Sequence, residues 1–170
     1  AIELVTESRF IVSDLEKILI SGPGDYEVAG ISIKAIAAQS RGDEKQTQIT
    51  VYRLDIAGFR VAILGHIADE LSDSQLESIG VIDVLIIPVG GNGYTLDGQA
   101  AAKLTRKIDP KIVIPTHYAD SALKYEVAQD TLDSFLSSLG ANSHEKVDKL
   151  KLKQAIHLPE VLKVVELNRT

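Results

Sequence analysis

The chain has 170 residues, 45% of them hydrophobic, and its 18 basic against 24 acidic residues give a net charge of −6. That length buries a core sufficient for one domain over residues 1–170, and the acidic balance argues against nucleic acid as a partner, since it repels phosphate backbones. With no cysteine there is no disulfide, thiolate ligand or cysteine nucleophile, so any metal must rest on His, Asp or Glu; with no run of about 18 apolar residues and no leader pattern, a cytoplasmic protein free of membranes is expected.

In chain order, residues 17–64 read as an antiparallel meander. Tyr26-Glu27-Val28 turns through Ala29-Gly30 into Ile31 to Lys34, and a second hairpin pairs 47–55 with 59–64 through Ile56-Ala57-Gly58. Gly58 supplies the positive φ that a tight turn needs. The polar stretch 41–46 reads as a mobile loop between strands. After Gly65 the rhythm changes to α/β. Ser72 with Gln75 makes a capping box, opening a helix that ends at Gly80. Residues 81–89 and 111–115 are short β-branched apolar runs, the mark of buried parallel strands. Between them, 96–108 has helical spacing with Thr95 placed as its cap. A further helix is predicted over 128–139, ending at Gly140. The runs 147–152 and 161–167 read as strands, the last closing an edge. Lacking methionine and starting at Ala1, the chain reads as missing residues upstream.

Ligands gather beyond the carboxyl ends of parallel strands, and three loop clusters fall there: Gly65-His66, Gly90-Gly91-Asn92-Gly93-Tyr94, and His117-Tyr118. His66 and His117 are the candidate metal ligands, because neutral imidazole ligates and titrates near physiological pH. Taken singly, each histidine is more often a hydrogen-bonded loop residue; their shared location favours a site. Gly90, Gly91, Asn92, Tyr94 and Tyr118 are candidates to line a substrate pocket, with Asp25 and Tyr26 of second rank. The glycine loop serves equally as an anion cradle or a plain tight turn: it lacks the P-loop lysine and the dinucleotide-binding spacing. Pro23 to Tyr26 equally reads as the turn before a strand. His144 and His157 are expected to be structural or solvated. No residue is assigned a catalytic role.

The phrases Gly22-Pro23-Gly24-Asp25-Tyr26-Glu27-Val28, Leu71-Ser72-Asp73-Ser74-Gln75-Leu76, Ile82 to Gly91, Tyr94-Thr95-Leu96-Asp97 and Pro110 to Tyr118 resemble the metallo-β-lactamase superfamily. Within it they resemble the branch of Zn-dependent hydrolases of the β-lactamase fold. The resemblance implies a four-layer αββα sandwich, antiparallel hairpins first and βαβ afterwards, without the family's first strands. It implies a ligand signature T-x-S-H-x-H-x-D-H, to which Val5-Thr6-Glu7-Ser8-Arg9-Phe10-Ile11-Val12-Ser13-Asp14 is the nearest counterpart. In that register Arg9 and Ile11 replace two histidines, Ser13 the aspartate and Asp14 the last histidine. Where the family has Gly-Asp, this chain has Gly65-His66; His117 matches a family ligand as it stands.

A catalytic zinc needs three protein ligands and an open position, and an arginine at a ligand position adds positive charge beside any cation. The resemblance therefore implies a metal-dependent hydrolase of a small molecule with an incomplete site, its dinuclear centre lost and Zn mononuclear or absent. The alternative is an inactive member serving as a ligand-binding or assembly scaffold, with homo-oligomers left open. A flavodoxin-like domain ranks below both, because the first half reads as hairpins. RNA processing is disfavoured by the lack of a basic stripe with interleaved aromatics.

Overall fold

The computed structural model describes residues 1–8, 11, 16–41, 48–141, 144–153 and 157–169. Alternating apolar residues form the strands β1 (Ile2–Leu4), β2 (Ile18–Ile20), β3 (Gly24–Val28), β4 (Ile31–Gln39), β5 (Gln48–Ile56) and β6 (Phe59–Ile63). The α/β half follows with α1 (Asp73–Ile79), β7 (Val84–Pro88), α2 (Gly98–Ile108), β8 (Ile112–Thr116), α3 (Leu132–Leu139), β9 (Glu145–Val147) and β10 (Lys163–Leu167). Eight strands make one mixed sheet in the order β3-β4-β5-β6-β7-β8-β10-β9, and β1 pairs with β2 in a small parallel sheet.

The first four strands of the large sheet are antiparallel, and the remainder pair in parallel. The Ala57-Gly58 turn has φ of 51° and 81°, both left-handed, as two-residue hairpins of matching twist require. Period-2 alternation sends Ala62, Leu64, Leu85, Ile87, Val89 and Val113 into one core, which α2 and α3 cover with residues such as Leu104, Ile108 and Phe135. Val84, Ile112, Ile114 and Val165 point the other way, beneath Leu150, Leu152 and Leu158. On that same face, Ile20 of the small sheet packs with Ile33, Ala35 and Tyr52. The mixed α/β plan holds, with helices on one face of the large sheet and, among the described residues, the small sheet of β1 and β2 on the other.

Four expectations need correction. Thr95 does not cap α2: its Oγ1 accepts from Gly91 N at 2.9 Å, closing the glycine loop, and Asp97 caps instead by accepting from Ala100 N at 2.8 Å. The third helix starts at Leu132 rather than 128, because Asp130 N donates to Gly90 O at 2.7 Å and holds that stretch out of helical conformation. β10 lies inside the sheet between β8 and β9, so β9 is the edge. The run 147–152 is not a strand beyond Val147, since Leu150 and Leu152 cover the sheet rather than pair within it. The capping box of Ser72 and Gln75 is present as read, with Gly80 closing α1. The predicted mobile loop falls mainly outside the described residues; Arg41, within them, donates its N–H to His66 O at 2.8 Å. Among the described residues no helix is long and apolar enough to cross a membrane.

Candidate active site

His66 follows β6 and His117 follows β8, at the same end of two strands separated by β7. Their rings meet edge to face, with centroids 5.0 Å apart and planes at 78°. Tyr94, at the end of the glycine loop, leans on His66 with centroids 4.5 Å apart. These three side chains line a cavity of about 460 Å³ together with Thr6, Ile63, Ile86, Pro88 and Thr116. Its floor is apolar because Ile63 and Ile86 occupy the same face of neighbouring strands.

Backbone packing fixes this convergence. A Cβ on Gly90 would stand 1.9 Å from the His117 carbonyl oxygen, so only glycine lets the loop pass beneath that histidine. His117 itself holds a left-handed φ of 53°, a conformation that costs a side-chain-bearing residue of order 1–3 kcal/mol and tends to cluster at functional sites. On the other side, Gly65 abuts Thr6: a Cβ there would lie 2.8 Å from the threonine side chain. Val5 N donates to Ile20 O at 3.0 Å and Thr50 N to Thr6 O at 2.8 Å, pinning the N-terminal segment over the strand ends.

That segment brings in a residue the sequence did not reveal. Glu7, 5% exposed, bonds through Oε1 to Nδ1 of His66, itself 6% exposed. In the register of the family's ligand signature Glu7 falls on a variable position, so no local signal marked it. Ile11 of that signature is exposed; Arg9, Ser13 and Asp14 lie outside the described residues.

His117 stands at the cavity mouth with part of its surface open to solvent. Crowding by protein, reinforced by the neighbouring His66, nevertheless holds its pKa below the ordinary histidine value, with Glu7 opposing weakly. The ring is therefore kept neutral near pH 7, the form that ligates metal or accepts a proton. Burial, then the Glu166 carboxylate, pushes the Tyr118 phenol up, so it stays a hydrogen-bond donor.

The other predicted site residues separate. Tyr118 lines a second cleft of about 750 Å³ on the far side of His117, with Tyr125, Lys146, Glu166 and Arg169. Gly90 and Gly91 are buried beneath the loop and Asn92 turns to Asp130, with Nδ2 3.2 Å from Oδ1, so none of the three lines the histidine cavity. The loop spends the Gly91 N–H internally and faces the Asp130 carboxylate, which opposes an anion there. Asp25 is exposed on β3, three strands from β6 and so about 14 Å away across the sheet. Tyr26, beside it, donates to the Gly22 carbonyl at 3.1 Å. His144 Nε2 lies 2.6 Å from Glu166 Oε2, and His157 is exposed.

The chain has counterparts among known proteins. The model of the β-lactamase superfamily domain matches residues 7–117, and the chain belongs to that superfamily. A solved structure from Thermotoga maritima, assigned to the Zn-dependent hydrolases of the metallo-β-lactamase superfamily, superposes with a TM-score of 0.70 at 31% identity, over 89% of this chain and 72% of that one. A UPF0173 metal-dependent hydrolase of Nanoarchaeum equitans is 32% identical over 90 residues, which cover 49% of this chain and 41% of the relative. Another from Thermoplasma acidophilum is 30% identical over 109 residues, 61% of this chain and 46% of the relative. The matched stretch thus spans less than half the length of either curated relative.

Proposed function

We propose that this chain is a metal-dependent hydrolase of a small-molecule ester, lactone, amide or phosphoester, working in the cytoplasm at the cavity between His66 and His117. The observation that carries this reading is the meeting of the two imidazoles at the strand ends, in a chain of this superfamily. With metal–nitrogen bonds of about 2.0–2.1 Å and near-tetrahedral angles, two rings on one ion have centroids roughly 5 Å apart, which suits the observed pair. Among the described residues no group of three or more His, Asp or Glu gathers to hold an ion, so the pair fits as part of a site, not the whole. His66 and His117 would hold a zinc ion, which supplies Lewis acidity for attack by water.

The chain's own residues have separable roles in this reading. Crowding by protein, with His66 beside it, favours the neutral His117 ring, ready to bind or to accept a proton at a ring nitrogen. The apolar floor of Ile63, Ile86 and Pro88 excludes water from the reacting group. Tyr94 packs over His66 and borders the substrate space. Tyr118 offers its phenol to the part of the substrate that extends into the larger cleft.

Purification without chelator, followed by metal analysis and a panel of chromogenic esters and phosphoesters, tests this. The expected result is bound zinc with hydrolysis, both lost in His117→Ala. A metal-free parent that stays inactive with added zinc overturns it and favours the scaffold alternative.

A further inference from the structure

Glu7 and His66 form a buried pair. A carboxylate that is 5% exposed has lost most of its water, and such burial costs several kcal/mol unless charge or hydrogen bonds offset it. Here the acid comes from a segment 59 residues away, and its backbone is bonded to β2 and β5 so that Oε1 meets Nδ1 of His66. A carboxylate oxygen accepts, so the shared proton belongs on Nδ1 of the imidazole. Any ligand or proton that engages the His66 ring must then do so through Nε2.

We propose that Glu7 is the positioning residue of this site. Its carboxylate fixes His66 in the Nδ1–H tautomer and sets the ring at its angle to His117 and Tyr94, so that Nε2 is the ligating atom. The proposal deepens the metal reading and rests on it for the identity of the ligand, but the tautomer does not depend on metal. Three observations converge on the role. The contact is side chain to side chain between two buried groups. The two segments are held in register by the close approach of Thr6 to Gly65. The same imidazole borders the cavity, within 5.0 Å of His117 by ring centroid.

The test has two readouts on the full chain. Nitrogen NMR of the histidine rings in metal-free protein, at mildly alkaline pH, reports the His66 tautomer; titration calorimetry with zinc ion alone reports affinity. The expected result is Nδ1–H in the parent, a shift toward Nε2–H in Glu7→Gln, and zinc affinity about 10–100-fold weaker in the variant, the usual loss when such an orienting partner goes. Glu7→Asp should restore part of both. An Nε2–H parent, a variant whose tautomer is unchanged, or a parent that binds zinc and a variant that binds it equally tightly overturns the proposal. If the tautomer follows Glu7 while neither protein binds zinc, the positioning role stands and the metal reading falls. Should Glu7→Gln fail to fold, the parent spectrum decides alone: Nδ1–H supports the role and Nε2–H refutes it.

Discussion

On the helix-covered face of the large sheet, buried side chains from Ala38 to Val164 form one continuous core, whereas on the opposite face they divide into two clusters. One cluster lies under β1 and β2, around Tyr52; the other lies under Leu150, Leu152 and Leu158, around Val165. Ile63 and Ile86, from the strands between them, border the cavity that holds His66 and His117. The same strands serve both faces, because successive side chains point oppositely. Among the described residues, one face is closed by a continuous core and the other leaves room for a ligand.

Breaking the closed face should cost the most. Phe135→Ala, at a fully buried position between α3 and the sheet, is expected to lose about 3–5 kcal/mol in urea unfolding. Ile63→Ala, at a half-buried position on the open face, should lose under about 2 kcal/mol, since the cavity beside it already lacks part of the packing. Equal losses would erase the contrast between the faces.

Gly90→Ala joins the two faces in one experiment. The new methyl must displace the His117 carbonyl, which is expected to cost about 1–3 kcal/mol and to weaken zinc binding. Unchanged zinc affinity would mean that the loop does not position His117.

A smaller effect is expected from pH. Asp83 accepts from Arg60 N at 2.8 Å, Nε at 3.0 Å and Nη2 at 2.7 Å, and the guanidinium holds its pKa below the usual aspartate value. Its folded pKa is depressed, so the stabilisation is present above the unfolded value of about 4 and is lost as pH falls through the folded one. Unfolding midpoints measured down that range should drop, and Asp83→Asn should flatten the slope.

The elements that could be read from sequence share a cause. The hairpin at Ala57-Gly58, the capping box at Ser72 and the buried strands at 84–88 and 112–116 are each set by neighbours within a few residues. Asp97 rather than Thr95 caps α2 because both are capping residues and closure of the glycine loop engages the threonine. The inward position of β10 escaped because strand order is not written in a strand's own alternation. Residues 128–131 have helical character locally, but Asp130 gives its N–H to Gly90 O and accepts from Ala119 N.

By itself the sequence determined the strand ends that carry His66 and His117, the antiparallel-then-parallel plan and the family resemblance, all encoded in short periodicities and contiguous motifs. The tertiary structure decided that the two imidazoles stand 5.0 Å apart, that Glu7 engages one of them and that Gly90 passes beneath the other. Those contacts join segments distant in the chain, and they arise from packing the whole sheet, which no local pattern specifies.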